Sequence, residues 1–316
     1  MDILAEILKA EHRIRTHIYK TPLLHSNYLS SLCNGDVYLK LESEQITGSF
    51  KARGSLNKLA SLKESGNKKV AITASTGNHG LGFARALRLL DMEGMIVLPH
   101  NAVSSKVDAL KSYGVEILFH GDDCFDSEMY AKKYAEEHDM AWVSPYNDPQ
   151  VIGGQGTIAM EIASQISGID NMFVTVGGGG LMSGMATYLK TVSPETQIWG
   201  CQPANSPEMA LSIQSGKYQT VEPQETLSDG SAGGFEEDSI TYDICKHLVD
   251  DFFLVSEDEI KRGIKTILTK HSKLIEGAAG VAVASFMQNV EQFKNQRSII
   301  VICGANISSE KLKSIL

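Results

Sequence analysis

The sequence predicts an α/β protein whose parallel β-sheets are covered by helices. Three observations lead to this prediction. Short runs of apolar and β-branched residues alternate with helical patterns over most of the chain, which is typical of strand–helix–strand units. Several of these runs end in glycine-rich or polar turns. The 316 residues, of which 42% are hydrophobic, are enough to bury a sizeable core.

Seven runs predict strands, and seven patterns between them predict helices. The predicted strands cover residues 70–74, 95–98, 116–119, 142–143, 172–176, 197–201 and 298–303. The predicted helices cover residues 79–90, 104–113, 126–138, 157–167, 181–191, 257–271 and 281–289. The sixth helix has an apolar stripe at helical spacing, formed by Ile260, Ile264, Ile267 and Leu268. Residues 202–256 are rich in Pro, Gly, Ser and acidic residues, so we expect a long, loop-rich segment there.

The composition limits the classes of function. A net charge of −9 argues against broad binding to nucleic acid or to anionic membranes, although local backbone dipoles can still hold a small anion. The N-terminal residues contain no long apolar core, so neither a signal peptide nor a membrane span is predicted. No CxxC pair occurs among the five scattered cysteines, which fits a reducing cytoplasm: Cys33, Cys124, Cys201, Cys245 and Cys303.

The segment MFVTVGGGGLMSG carries the clearest binding signal. A predicted strand ends at Val176, four glycines follow, and a helix begins near Leu181. Without Cβ atoms the backbone can wrap around an anion and offer several N–H donors where the helix dipole favours negative charge. A tight turn alone would need only one or two glycines. The loop formed by Gly177, Gly178, Gly179 and Gly180 is therefore predicted to bind a phosphate group.

The same loop differs from the common nucleotide motifs. A P-loop would end in GK[ST], whereas this loop continues as Gly180-Leu181-Met182. A dinucleotide site would need a different glycine spacing and an acidic residue at the end of the next strand, where Gln202 stands. A nicotinamide oxidoreductase is thus only a remote alternative.

Two further strands also lead into polar turns. In AITASTGNHG, side chains and helix N–H groups could receive a carboxylate, although simple helix capping would explain one of these residues. In SIIVICGAN, Cys303 stands at the carboxyl end of a strand, where α/β sheets bind ligands, but a buried structural cysteine is the plainer interpretation. The polar residues of the first turn are Ser75, Thr76, Asn78 and His79.

Lys51, in the stretch ITGSFKARG, is either a solvated cation or an amine held for covalent chemistry, and this stretch alone leaves both open. The order of motifs along the whole chain gives more information about the role of Lys51. SFKARG, STGNHG, GQGT (154–157), GGGG, EGAAG (276–280) and CGAN, taken together, resemble the fold-type II pyridoxal-phosphate enzymes, and within them the serine/threonine dehydratase and serine racemase family. The resemblance extends from residues 21–24 (TPLL) to Asn306.

This resemblance implies a fold and a domain division. The expected fold has two open, twisted sheets flanked by helices, as in the tryptophan synthase β subunit. A large cofactor-binding domain would comprise residues 1–69 and 148–316, and a small mobile domain residues 70–147. Pyridoxal 5′-phosphate would bind in the cleft between them, and closure of the small domain would exclude water.

The resemblance also implies roles for individual residues. Lys51 would bind the cofactor aldehyde covalently and move the Cα proton, and the glycine loop with Leu181 would hold the phosphate. Cys303 would meet the pyridine nitrogen. Ser75, Thr76, Asn78 and His79 would surround the substrate carboxylate. Asn78 would also bind the ring hydroxyl of the cofactor. Three further residues would line the cofactor pocket: Phe50, Gly230 and Glu276.

The sequence departs from the family pattern at three places. Many members have a divalent-cation site whose first carboxylate falls at Gln202 here, so that only Glu208 and a Ser206 carbonyl are left, and cation binding stays open. The segment SPYNDP (144–149) replaces a more usual His-Pro start. Thr76 stands where racemases have a serine that serves as the second acid and where most threonine dehydratases have alanine.

The expected function is dehydration of L-threonine or L-serine to a 2-oxoacid and ammonia. A neutral Cys303 at the ring nitrogen favours β-elimination over transamination and resembles the mammalian-type serine dehydratases. Serine or aspartate racemisation, dehydration of another 3-hydroxy amino acid such as threo-3-hydroxyaspartate, and cofactor binding without turnover are the alternatives. We expect a cytoplasmic homodimer, and no regulatory domain after Leu316.

Overall fold

Ten strands and thirteen α-helices are present in the computed structural model, which describes residues 2–122, 124–222 and 224–316, with only the backbone of residues 124 and 125. The strands are β1 (Leu23–His25), β2 (Asp36–Leu41), β3 (Ala71–Ala74), β4 (Gly94–Leu98), β5 (Glu116–Phe119), β6 (Ala141–Trp142), β7 (Asn171–Thr175), β8 (Gln197–Pro203), β9 (Asp251–Val255) and β10 (Arg297–Ile302). The α-helices are α1 (Ile3–Ile14), α2 (Asn27–Cys33), α3 (Lys51–Glu64), α4 (Asn78–Leu90), α5 (Ser104–Lys111), α6 (Cys124–Glu137), α7 (Pro149–Gln165), α8 (Gly180–Val192), α9 (Glu208–Ser215), α10 (Ile240–Leu248), α11 (Glu257–His271), α12 (Gly277–Gln288) and α13 (Ser309–Ile315). Two short 3₁₀ helices cover Glu42–Glu44 and Val290–Phe293.

The larger sheet has six strands in the order β1-β2-β10-β7-β8-β9. Every neighbouring pair is parallel except β1 and β2, which are antiparallel. In the centre of this sheet, Ile300 lies opposite Leu39 on one side and opposite Phe173 on the other. The smaller sheet has four parallel strands in the order β5-β4-β3-β6, and Ile72 lies between Met95 and Trp142.

The central strands are mostly apolar because both of their faces are buried. All five residues of β7 and all four of β3 are buried, as expected when helices cover both sides of a parallel sheet. Around Phe173 an aromatic cluster fills the larger core, with the Phe293 and Phe286 rings edge-on to Phe173 at centroid distances of 4.9 and 5.6 Å.

Close contact between glycines brings three helices together beside the larger sheet. A Cβ atom on Gly154 of α7 would lie 2.6 Å from Gly54 Cα of α3. A Cβ atom on Gly184 of α8 would lie 2.6 Å from the backbone nitrogen of Gly156 of α7. Because only glycine permits these approaches, α7 fixes α3 and α8 at short separation. The GQGT motif is therefore a helix-packing motif in this structure.

The seven predicted strands and seven predicted helices are all present; β5 and α11 have the predicted bounds, and the other elements have shifted ends. The largest shift is at α7, which begins at Pro149 rather than at residue 157, with Asp148 accepting hydrogen bonds from the backbone N–H groups of Gln150 and Val151. Three strands and six helices were not predicted: β1, β2, β9, α1, α2, α3, α9, α10 and α13.

The expectation of one long loop-rich segment over residues 202–256 is wrong in part. The structure places α9, α10 and β9 within it. Over the described residues between α9 and α10 no helix or strand is formed, so a loop of the expected kind exists but is shorter. Among all described residues, no helix is long and apolar enough to span a membrane.

Candidate active site

Lys51 is the first residue of α3, and the strand-like segment before it fixes its place. Phe50 donates a backbone hydrogen bond to the Cys303 carbonyl (3.0 Å), and Ala305 donates one to the Gly48 carbonyl (2.9 Å). Residues 48–50 therefore run beside the end of β10, so that Lys51 and Cys303 occupy neighbouring positions at the carboxyl edge of the larger sheet.

The Lys51 amine is prepared for nucleophilic chemistry. Its Nζ donates a hydrogen bond to the Pro145 carbonyl (2.7 Å) and lies 5.3 Å from the centroid of the Phe50 ring. The Lys51 side chain as a whole is half-buried, but burial of the amine lowers its pKa to about 8, although the nearby Glu128, Cys303 and Glu276 act to raise it. A larger fraction of this amine is therefore neutral near pH 7 than of an ordinary lysine.

The glycine loop connects β7 to α8 at the same sheet edge. Gly179 has a φ of +85°, which a residue with a side chain rarely adopts. A Cβ atom on Gly178 would lie 2.5 Å from the Tyr146 ring, and the Thr241 hydroxyl donates a hydrogen bond to the Gly178 carbonyl (2.7 Å). The first N–H groups of α8 have no acceptor within the helix, so this end of α8 suits a phosphate. Leu181 is buried directly behind the loop.

Asn78, Glu276 and Asn306 form a hydrogen-bonded cluster beside Cys303. The Asn78 amide donates to both Glu276 carboxylate oxygens (2.9 and 3.0 Å), and the Asn306 backbone N–H donates to Glu276 as well (3.1 Å). The Asn306 side-chain amide donates to Asn78 Oδ1 (2.7 Å). Burial raises the pKa of Glu276 to about 7, although its hydrogen bond from Asn78 lowers it. Gly230 lies against this cluster, since a Cβ atom there would be 3.7 Å from Glu276 Oε1.

Cys303 is buried at the end of β10, and its Sγ is 3.9 Å from Glu276 Oε1. Burial raises the pKa of the thiol well above its ordinary value, and the neighbouring Glu276 raises it further. Cys303 is therefore a neutral thiol at neutral pH. Four cysteines are free and buried among those whose side chains are described: Cys33, Cys201, Cys245 and Cys303.

The turn between β3 and α4 faces open space. A Cβ atom on Gly77 would meet no other atom within 4 Å, and Ser75 and Thr76 are half-buried. His79 differs from its neighbours, because its ring is buried and lies within hydrogen-bonding distance of Thr73 Oγ1 (3.0 Å) and Ser55 Oγ (3.3 Å). Burial lowers the pKa of His79 to about 3, and nearby Lys51 contributes. His79 is thus a neutral core residue. Its ring is buried, and only its backbone N–H, in the first turn of α4, is available at the start of the helix.

Two residues near the amine were not among the predicted site residues. Glu128 of α6 is close enough to Lys51 to interact electrostatically, and burial, together with Glu236, raises its pKa to about 7. Tyr146 covers the glycine loop and its hydroxyl accepts a hydrogen bond from the Glu236 backbone (2.9 Å). Tyr146 belongs to the SPYNDP segment, where the sequence departs from the family pattern, whereas no pattern in the sequence indicates Glu128.

The residues considered for a cation lie outside this cluster. Gln202 is the penultimate residue of β8. Glu208 is the first residue of α9, and Ser206 lies two residues before it. Within the described part of the chain, no group of three or more His, Cys, Asp or Glu side chains is arranged to hold a metal ion.

A comparison with known families decides the class of this site. The model of the family described as pyridoxal-phosphate-dependent enzymes matches residues 14–304. The chain belongs to this family. The family recognition, the α/β fold with two sheets and the pyridoxal-phosphate cofactor, all predicted from the sequence, are thereby confirmed.

Individual proteins give the same result. The catabolic L-threonine dehydratase of Escherichia coli strain K12 is 37% identical over 315 residues, which are 98% of this chain and 94% of that protein. Among solved structures, the processed threonine deaminase isoform 2 of Solanum lycopersicum matches with a TM-score of 0.93 at 32% identity, over 99% of this chain and 91% of that one. The serine racemase of Dictyostelium discoideum matches with a TM-score of 0.89, also at 32% identity, over 96% and 98%.

The residues present fit pyridoxal phosphate. Lys51 offers an amine of lowered pKa, the glycine loop lies at the N-terminus of α8, and the neutral Cys303 thiol lies between them at the sheet edge. The roles of the individual residues stay predictions. Asn78 and Cys303 both have observed contacts that compete with their expected ones, because the Asn78 amide and the Cys303 thiol already donate to Glu276.

Proposed function

We propose that this chain dehydrates L-threonine and L-serine to a 2-oxoacid and ammonia. The predicted class, a pyridoxal-phosphate-dependent ammonia-lyase of the threonine and serine dehydratase type, is confirmed by the full-length similarity to the E. coli threonine dehydratase and the tomato threonine deaminase. The observation that carries the choice of reaction is the neutral Cys303 thiol beside Glu276. A neutral partner leaves the ring nitrogen unprotonated, and this favours loss of a β-substituent over transamination.

Lys51 is the base in this proposal. When bound, the cofactor supplies an electron sink for the electrons released at Cα. The neutral Lys51 Nζ accepts the Cα proton, and the Pro145 carbonyl, 2.7 Å from Nζ in the structure, orients the amine. Lys51 then returns to the neutral state by giving that proton to the β-hydroxyl group, whose bond to Cβ breaks so that it leaves as water. The enamine that is released tautomerises to an imine, and water hydrolyses this imine to the 2-oxoacid and ammonia.

The turn between β3 and α4 would bind the substrate carboxylate. Ser75 and Thr76 are half-buried beside Gly77, where an added Cβ atom would meet no other atom within 4 Å, and the Ser75 hydroxyl accepts a hydrogen bond from the Gly77 N–H (3.2 Å). The first N–H groups of α4 would add further donors for a carboxylate. Asn78 would contribute its amide once it leaves Glu276. His79 would contribute its backbone N–H only, because its ring is held by Thr73 and Ser55.

Electrostatics favours a substrate without a second carboxylate. Glu128 is close enough to Glu236 and to Lys51 to interact electrostatically with both, and Lys132 is already paired with Glu236 at 2.8 Å. The β-carboxylate of threo-3-hydroxyaspartate would meet like charge there. Threonine and serine carry no such charge, and we therefore prefer them.

We also propose the predicted domain division, with residues 70–147 as the mobile unit. The smaller sheet consists only of strands from this range. The polar contacts that would change if this unit moved include Asn78–Glu276, Lys132–Glu236 and the longer Lys106–Asp229 pair at 3.6 Å. The homodimer and the cytoplasmic location stay predictions, and the free, buried cysteines support the second.

The test uses the purified holoenzyme with L-threonine, L-serine and L-threo-3-hydroxyaspartate. Ammonia, 2-oxoacid and D-amino acid are followed in the same reactions. We expect 2-oxoacid and ammonia in equal amounts from threonine and serine, with less from hydroxyaspartate. Faster formation of D-serine than of pyruvate would replace this proposal with a racemase.

The racemase alternative depends on Thr76, whose hydroxyl would have to donate a proton on the face opposite Lys51. Its β-methyl group restricts the side-chain rotamer, so we expect elimination to dominate. Replacing Thr76 by alanine should abolish any D-serine formation and leave much of the pyruvate formation. Equal losses of both products would show that Thr76 does not act as a separate acid.

A further inference from the structure

The loop that connects β8 to α9 is closed by its own hydrogen bonds. Gln202, Ser206 and Glu208 are all buried, with exposed fractions of 1%, 3% and 6%. The family resemblance places the ligands of a divalent cation at these three positions. The hydrogen bonds of the loop show whether the side chains present here would accept such an ion.

Gln202 presents a hydrogen-bond donor to the loop. Its Oε1 accepts a hydrogen bond from the Ala210 backbone N–H (2.8 Å), which fixes the orientation of the amide. Nε2 therefore faces the other way and donates to the Ser206 carbonyl, in a long hydrogen bond of 3.4 Å. The Ser206 carbonyl, which would coordinate a cation, instead accepts a hydrogen bond from the amide.

Ser206 and Glu208 are also engaged with each other. The Ser206 hydroxyl donates to Glu208 Oε2 (2.7 Å) and accepts from the Gly233 backbone N–H (3.0 Å). Glu208 is the single carboxylate of the three residues, whereas Mg²⁺ and Ca²⁺ favour several charged oxygens. The residues present therefore do not fit a hard cation, because the Ser206 carbonyl and Glu208 Oε2, which would coordinate it, already accept hydrogen bonds.

These hydrogen bonds reach the predicted phosphate loop. The Ser206–Gly233 contact holds the segment that includes Ser231, whose backbone would be 2.9 Å from a Cβ atom on Gly177. Met209, next to Glu208, lies on another side of the loop, because a Cβ atom on Gly179 would be 3.1 Å from Met209 Cε. Two sides of the glycine loop thus rest on the segment that the Gln202 hydrogen bonds close.

We propose that the Gln202 amide takes the place of a divalent cation in this chain and closes the β8–α9 loop against the glycine loop without metal. The proposal depends on the contacts above and on family membership, and it is independent of which amino acid is the substrate. It predicts an enzyme whose stability does not respond to Mg²⁺, Ca²⁺ or chelators, and whose single Gln202→Glu variant does respond.

Thermal unfolding of the holoenzyme tests this without any activity measurement. For the native chain, we expect Tm to change by less than about 1 °C on addition of EDTA, Mg²⁺ or Ca²⁺. Gln202→Glu places a second carboxylate beside Glu208, so Tm in EDTA should fall, and millimolar Ca²⁺ or Mg²⁺ should raise it again by about 2–4 °C or more. Gln197→Glu, at an exposed position of the same strand, is the matched control and should show no such recovery.

A second variant guards against a protein that fails to fold. Gln202→Met removes both amide hydrogen bonds without adding charge, so Tm should fall by several degrees and no cation should restore it. The proposal is wrong if the native Tm rises with Mg²⁺ or Ca²⁺ or falls with EDTA. It is also wrong if folded Gln202→Glu ignores both cations, or if Gln202→Met is as stable as the native chain.

Discussion

Lys51 and Arg53 stand two residues apart on α3, yet Arg53 forms ion pairs with buried carboxylates and Lys51 forms none within the described part of the chain. Arg53 is fully buried and donates two hydrogen bonds to Glu42 (both 2.8 Å) and one to Glu161 (2.7 Å). Lys51 faces carboxylates at longer range and donates only to the neutral Pro145 carbonyl. One side of the helix therefore has paired charges, and the other has unpaired ones.

The pKa directions follow from this difference. Burial alone would lower the pKa of Arg53, but its ion pairs with Glu42 and Glu161 raise it, and Arg53 and Lys40 lower the pKa of Glu161 in spite of its burial. Lys40 is the exception, because burial outweighs its pairing with Glu161 and lowers its pKa. Around Lys51, burial dominates throughout, so the amine and the carboxyls titrate near neutral pH. Pairing keeps the charges of the Arg53 network fixed, whereas the unpaired groups around Lys51 can change protonation near neutral pH.

The largest effect should come from removing the unpaired amine. We expect Lys51→Ala to lose at least about 10³-fold in dehydratase turnover, because neither the cofactor aldehyde nor the Cα proton then has its partner. Borohydride treatment of the native holoenzyme should attach the cofactor to Lys51, as seen by peptide mass spectrometry. Lys63→Ala, at an exposed position of the same helix, should keep full activity. Labelling of any other lysine would contradict the assignment.

The paired side should be most sensitive in stability. Arg53→Met leaves Glu42 and Glu161 buried without their main partner, which we expect to lower the free energy of unfolding by about 3–5 kcal/mol. Denaturant unfolding measures this. Arg15→Met, which removes the exposed pair with Glu11, should cost less than about 1 kcal/mol. Similar losses in the two variants would show that the buried network does not hold the fold.

Glu276 should link stability to pH. Its pKa in the folded chain, about 7, is above the ordinary value of 4.5, so the folded state holds more protons between these values. Its contribution is therefore present at low pH and is lost as pH rises through 7, by up to about 3 kcal/mol. Unfolding of the apoprotein between pH 5 and 8 should show this dependence reduced in Glu276→Gln but not in the exposed-site control Glu195→Gln. An unchanged profile in Glu276→Gln would mean that another group carries it.

Glu128 should have the smallest effect, on substrate choice. Removing its charge in Glu128→Gln should raise the kcat/KM ratio of L-threo-3-hydroxyaspartate to L-serine about tenfold, which corresponds to about 1.4 kcal/mol. Glu136→Gln, at an exposed position of the same helix, should leave the ratio unchanged. If both variants keep the native ratio, repulsion by Glu128 does not select against a second carboxylate.

The same contrast explains which elements could be predicted from the sequence. Strands buried on both faces, such as β7, contain an uninterrupted apolar run in their middle (MFV in β7), and this run is easily recognised in the sequence. β2 and α3 were missed because Lys40 and Arg53 are buried in them. A charged residue therefore occupies a position where the strand or helix pattern requires an apolar one. Periodicity records the partition of side chains between water and core, and it fails where the core contains ion pairs.

In the site, local motifs could be predicted and long-range partners could not. Lys51, the glycine loop and Cys303 are identifiable from their motifs and the order of these motifs, and the structure brings all of them to one sheet edge. The contact between Asn78 and Glu276 joins residues 198 positions apart, and Glu128 approaches from a helix with no motif of its own. Such partners depend on how the two sheets meet, which no local pattern records.

Contacts between backbones, rather than side chains, set the distance from the Lys51 helix to the phosphate-loop helix, since α3, α7 and α8 meet at Gly54, Gly154, Gly156 and Gly184. A protein engineer can therefore treat that distance as a constant. Residues of the turn at Ser75–Thr76 and of α6 at Glu128 can be randomised to admit new amino acids while the distance between the Lys51 helix and the glycine-loop helix stays fixed. The four glycines, by contrast, should tolerate no other residue in such a library, even though none of them touches the substrate.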